Sequence, residues 1–168
     1  MSSLIILGID PGLAHTGWGV IEQVGARRHA LAYGCVATSS REETACRLKR
    51  IHDEISEVIK RYHPTELGIE AVYFGSNAKS ALATGEARGA ALVAAAYQQI
   101  EVGEYSPTQI KQTIVGTGTA TKEQIQYMVK AMLGLDHVPT PDHAADALAA
   151  AICRAQLRGS FCDCLSER

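Results

Sequence analysis

The sequence contains no run near the roughly 20 consecutive apolar residues that a membrane-crossing helix needs, nor a basic amino-terminal segment followed by a cleavable apolar one. No membrane partner is therefore expected, and a cytoplasmic location is. An excess of one charge is also missing: Lys+Arg 16 against Asp+Glu 18 gives a net charge of -2, so any nucleic-acid surface must be local. Internal repeats and low-complexity segments are absent. Cysteines do not form a paired framework, since their number, 5, is odd, and Cys162 and Cys164 lie too close together for usual zinc spacing. Free thiols are expected. Aromatic residues are scarce, at 5%, which makes any adjacent pair of them conspicuous.

What is present is a chain of 168 residues, 46% hydrophobic and 20% charged, enough to bury one core and too short for two. The apolar run at 4–9 reads as a buried strand ended by Asp10. Gly12 and Gly17 mark turns, and strand character over 18–24 and 29–36 completes an antiparallel three-stranded start. Over 42–62, Leu48, Ile51, Ile55, Val58 and Ile59 recur at helical spacing, and Pro64 stops the helix. A second buried strand at 66–70 again ends in an acid, Glu70. The Ala- and Gly-rich stretch 76–98 predicts a helix that approaches a neighbour closely and is extensively buried. Residues 100–105 read as an edge strand and Pro107 as the start of a short helix. Thr121 and Gln124 have the spacing of a capping box for the next helix, and the last helix runs from about 141 to 156. A folded unit over 1–157 is expected, with a frayed tail at 158–168.

Strands ending in Asp10 and Glu70 would bring two carboxylates to the carboxyl edge of one sheet, where open α/β proteins place their sites. Like charges that close call for a compensating cation, and hard divalent ions suit carboxylates combined with phosphate oxygens. A third acid, Asp146, comes from the last helix, with Asp142 and His143 on opposite sides of it. Either neighbour can complete the group. Taken singly each residue has an ordinary alternative: a turn for Asp10, a solvated strand end for Glu70, a helix-dipole partner for Asp142, a surface imidazole for His143.

The segments GIDPGLAHTGWGV, GIEAVYFGSNAKSALATGEARG, SPTQIKQTIVGTGTATKEQI and DHAADALA, in that order, resemble the RuvC family of Holliday junction resolvases over almost the whole chain. The resemblance implies an α/β, ribonuclease H-like nuclease domain over 1–157, with a five-stranded mixed sheet flanked by helices on both faces. It implies a homodimer that makes paired symmetric nicks in four-way junction DNA using Mg2+ or Mn2+, a pair of ions in each subunit, and that collaborates with a branch-migration helicase complex. Carried over residue by residue, the catalytic and metal-binding acids fall on Asp10, Glu70 and Asp146. The family commonly has aspartate where this chain has His143. Imidazole favours manganese over magnesium, so the substitution predicts a Mn2+ preference.

DNA contacts are expected from Lys111 and Lys122, with Arg88 as a third, and from Tyr73 or Phe74 stacking on an unpaired base at the crossover. The Ala/Gly-rich helix is a candidate dimer contact, with burial in the monomer core as the equal alternative. Three other classes stay open at this point. An actin-like ATPase shares the early turn but needs two lobes, a ribonuclease H-like RNA-processing nuclease shares the acids, and a noncatalytic DNA-binding module would not need them.

Overall fold

Alternation of side chains along short strands sorts the apolar residues into two cores, one on each side of a single sheet. The computed structural model describes residues 3–72 and 78–158. Strands β1 (Ser3–Asp10), β2 (His15–Val24) and β3 (Arg27–Ala37) pair antiparallel, while β4 (Glu66–Glu70) and β5 (Glu101–Tyr105) extend the sheet in parallel from β1. The order is β3-β2-β1-β4-β5. Along β1, Ile6 faces one core while Leu7 and Ile9 face the other, all fully buried, as a period of two requires. Burying each such side chain contributes about 1.5–3 kcal/mol.

Helices α1 (Thr44–Tyr62) and α2 (Ala78–Tyr97) cover the Leu7 face, and α3 (Pro107–Val115), α4 (Lys122–Leu133) and α5 (Asp142–Leu157) cover the Ile6 face. The α1 apolar stripe of Ile51, Ile55, Val58 and Ile59 is buried as its spacing predicts. His63 closes that helix in the left-handed region, its amide donating to the Ile59 carbonyl, immediately before Pro64. Ser106 with Gln109 and Thr121 with Gln124 both form capping boxes, so the N-terminal amides of α3 and α4 have partners.

The core element is α5, whose residues from Ala147 through Ala155 are all buried. It lies almost on the sheet backbone because the strands present glycine beneath it. A Cβ at Gly8 would stand 1.9 Å from the Ala147 carbonyl oxygen, and one at Gly68 would stand 2.3 Å from that of Ala150. Gly17 belongs to the same arrangement. It sits inside β2, which begins at His15 rather than at residue 18, and a Cβ there would come 1.9 Å from the His143 carbonyl oxygen. Close approach of α5, not a turn, is what requires glycine at position 17.

The expectation of an extensively buried α2 needs correction. Its buried residues are Ala81, Ala87, Ala91, Ala94 and Ala95, whereas Leu82 is 61% and Tyr97 77% exposed. Among the described residues nothing lies within 4 Å of the Cβ positions of Gly85 and Gly89. Alanine supplies the fully buried face, Leu92 packs partly against the core beside it, and Leu82, Val93 and Tyr97 are exposed. Cys35, Cys46 and Cys153 are free thiols, while Cys162, Cys164 and nearly all of the tail expected to fray lie outside the described residues. Among the described residues no helix is long and apolar enough to cross a membrane.

Candidate active site

Asp10 is the last residue of β1 and Glu70 the last of β4, and the parallel register Ile9 opposite Ile69 puts both at one edge of the sheet. Counting by twos from Gly8 and Gly68 places both carboxylates on the α5 face. The close seating of α5 over Gly17, which pairs with Asp10 across the β1–β2 ladder, then delivers the first turn of α5 to Asp10. Ligand atoms of Asp10, His143 and Asp146 all lie within 4.8 Å of one another. Residues distant along the chain thus meet in one anionic group.

Glu70 is not part of that tightest group. It lines an adjoining cavity of about 220 Å³ together with Asp146, Lys111 and Lys122. Burial, then the charges of Asp10 and Asp146, push its carboxyl up to about 7, with Lys111 opposing. Burial and Asp10 likewise raise the Asp146 pKa. His143 Nδ1 and Asp10 Oδ2 are 2.8 Å apart, and this hydrogen bond holds the imidazole pKa above its ordinary value against the effect of burial. The site is therefore built to favour positive charge: its carboxyls resist ionising together, and its histidine binds a proton more tightly.

The donor set comprises carboxylate oxygens and one imidazole nitrogen, with a further carboxylate close by, which suits Mg2+ or Mn2+. Asp142 does not join it. Its oxygens lie 3.1 Å from Lys122 Nζ and 3.1 Å from Gln126 Nε2, both on α4. Opposite sides of Asp146 have thus become opposite tasks, with His143 turned to Asp10 and Asp142 turned to α4.

Lys122 Nζ also lies 3.7 Å from Asp146, so this lysine leans over the acids from the α4 N-terminus. Burial opposes its charge, but Asp142, Asp146 and Asp10 outweigh it and raise its pKa. Lys111 reaches the same cavity from α3. Arg88 stands apart, 21% exposed and paired with Glu104 of β5 at 2.5 Å. Tyr73 and Phe74 lie outside the described residues. His15 had no signal in the sequence beyond its place soon after β1, yet its ring stacks on His143 with centroids 5.5 Å apart and planes 15° from parallel.

A mixed sheet in this order, with carboxylates at the carboxyl edge of its parallel strands and another acid from the final helix, defines the ribonuclease H-like class of nucleases. Within that class, the family model described as crossover junction endodeoxyribonuclease RuvC matches residues 6–154, and the chain belongs to that family. It is 49% identical over 158 residues to the crossover junction endodeoxyribonuclease RuvC of Desulforamulus reducens, covering 94% of this chain and 97% of the relative. It is 52% identical over 157 residues to that of a Shewanella species, covering 94% and 90%. Among solved structures, Thermus thermophilus RuvC in complex with a Holliday junction substrate superposes with a TM-score of 0.86 at 38% identity, covering 90% of this chain and 93% of that one.

Proposed function

We propose that this endodeoxyribonuclease resolves four-way DNA junctions, with Asp10, Glu70, His143 and Asp146 as its catalytic group. The convergence of Asp10, His143 and Asp146 within 4.8 Å carries the reading. These residues would hold a divalent ion, which would supply Lewis-acid charge and lower the pKa of a water nucleophile. The protein's own residues do the rest. Lys111 and Lys122 draw the scissile phosphate into the cavity they share with Glu70 and offset the repulsion between DNA and the carboxylates. Asp142 positions Lys122, and His15 supports the plane of the His143 ring.

The same reading makes His143 the source of a manganese preference, because nitrogen donors suit Mn2+ better than Mg2+. It assigns the dimer contact to the outer face of α2, where Leu82, Val93 and Tyr97 are exposed beside Gly89. A twofold pair would present equivalent sites to the two symmetry-related strands of a junction. Tyr73 or Phe74 stacks on a base at the crossover. Arg88, tied to Glu104, adds to the positive field rather than gripping a phosphate directly. A branch-migration motor is the expected partner and the cytoplasm the expected location.

Incubating the protein with a synthetic four-way junction in Mn2+ tests this reading. Paired nicks at symmetric positions are expected, with less product at matched Mg2+ saturation. Cutting of structured RNA in preference to the junction would overturn the substrate, and equal or greater rates in Mg2+ would overturn the metal preference.

A further inference from the structure

A second cavity, of about 370 Å³, is lined by His143 and shares no residue with the one containing the lysines. Its walls include Leu13 from the turn after β1, His15 at the start of β2, Arg47 from α1, Thr84 from α2, and His143 itself. The anionic group of Asp10, His143 and Asp146 thus borders two hollows, one sharing Asp146 and the other sharing His143. Each has basic side chains in its wall.

Arg47 is held in place by neutral partners. Its Nε donates to Thr38 Oγ1 at 2.8 Å, and Thr38 Oγ1 in turn donates to the Leu13 carbonyl at 2.5 Å. The Thr38 amide donates to the Ala14 carbonyl at 2.9 Å, and Thr16 Oγ1 donates to that of Gly12 at 2.7 Å. This network fastens the turn, β3 and α1 together around the cavity. Among the described residues no carboxylate pairs with Arg47, whereas its neighbour Arg50 is neutralised by Glu42 at 2.8 Å. A guanidinium anchored at Nε and not balanced by an acid retains its outer N–H groups, in fork geometry, for an anion.

We propose that this cavity receives the nucleotide adjoining the scissile linkage on the cut strand, with Arg47 binding its phosphate. The inference rests on the resolvase reading and extends it to the path of the strand. A polyanion drawn across a cluster of carboxylates is repelled at the cluster, and cations in both bordering hollows hold it there. In a chain with a net charge of -2, attraction must come from such placed residues. The occupant is a backbone phosphate rather than a free anion, because the hollow is continuous with the site through His143.

A chemical cycle tests this. Junctions carrying a single uncharged methylphosphonate, scanned through the positions flanking the cut on either side, are titrated in metal-free buffer with the wild-type chain and with Arg47→Ala. One methylphosphonate position should weaken wild-type binding by about tenfold, the effect of losing one hydrogen bond to a charged group. Arg47→Ala should weaken binding to the unmodified junction by a similar factor and be indifferent to that same methylphosphonate. Its salt dependence should be shallower by about one unit of slope, and Arg47→Lys should recover part of the affinity. Additive losses at every position would overturn the inference, as would wild-type binding that no flanking methylphosphonate weakens. Since the scan on the wild-type chain needs no substitution, misfolding of Arg47→Ala cannot mask the answer. Failure of the wild-type chain to cut unmodified junctions would instead overturn the resolvase reading, and this inference with it.

Discussion

Glu66 and Glu70 open and close the same short strand, face the same helix and are both withdrawn from solvent, yet their surroundings are opposite. Glu66 is 6% exposed and meets Arg154 Nε at 2.8 Å and Arg158 at 2.6 Å. Arg154 also reaches Glu101, at 2.5 Å. Glu70 has Asp10 and Asp146 for neighbours instead, and its carboxyl is pushed up to about 7. Where a buried acid serves the fold, the chain supplies its countercharge internally. Where an acid lines the candidate site, the chain supplies only part of its countercharge, Lys111 and Lys122 standing against Asp10, Glu70 and Asp146. Helix α5 carries both solutions, with Arg154 near one end and His143 and Asp146 at the other.

The largest effect should come from the less compensated end. Asp10→Asn should lower junction cutting by more than about 100-fold, while gel-shift affinity for the junction stays at or above the wild-type value; residual cutting near the wild-type rate would remove Asp10 from the catalytic group. At the compensated end, Arg154→Met should lower stability by about 3 kcal/mol in urea titrations, the low side of the range for orphaning a buried charge, because Arg158 still contacts Glu66. Combining it with Glu66→Gln should restore part of that loss. If the two losses simply add, the residues do not act as a pair.

A pH series sharpens the contrast. The Glu70 carboxyl, ordinarily near 4.5, is raised to about 7 by burial and like charge. The folded, metal-free protein therefore binds this proton more tightly than the unfolded chain does, and its stability should fall as pH rises from about 4.5 to about 7. Glu70→Gln should flatten that slope. Metal must displace the proton, so calorimetric Mn2+ affinity should climb by about tenfold per pH unit up to about pH 7 through Glu70 alone, and the raised His143 pKa extends the climb further. A pH-independent affinity would mean that Glu70 does not share the ion. The smallest effect belongs to Asp142→Asn. This exposed partner of Lys122 should alter cutting a few-fold at most and leave the unfolding midpoint unchanged, whereas an Asp10-sized loss would make Asp142 a metal ligand.

Much of this was legible in the residues. Short apolar strands ending in Asp10 and Glu70, two capping signatures at Ser106 and Thr121 with the second read in advance, and an α1 stripe of isoleucines all depend on neighbours in sequence, where periodicity and local hydrogen bonds operate. The exposure of α2 was not legible, because alanine is compatible with either a buried or an open face and only the position of α1 decides which. Nor was Gly17 readable as a packing residue, since the helix that requires it lies more than a hundred positions away.

By itself the sequence determined which groups exist and which could share a helix turn or strand face: the acids, the alternation through Gly68, and the placement of Asp142 and His143 around Asp146. Tertiary structure alone decided which of them became partners. It turned His143 toward Asp10 and Asp142 toward Lys122, set Arg154 on Glu66, and left Arg47 beside a hollow with no acid partner among the described residues. The reason is that charge and hydrogen bonding act over a few ångströms of space, and the seating of α5 on the strand glycines, not distance along the chain, sets which atoms come that close.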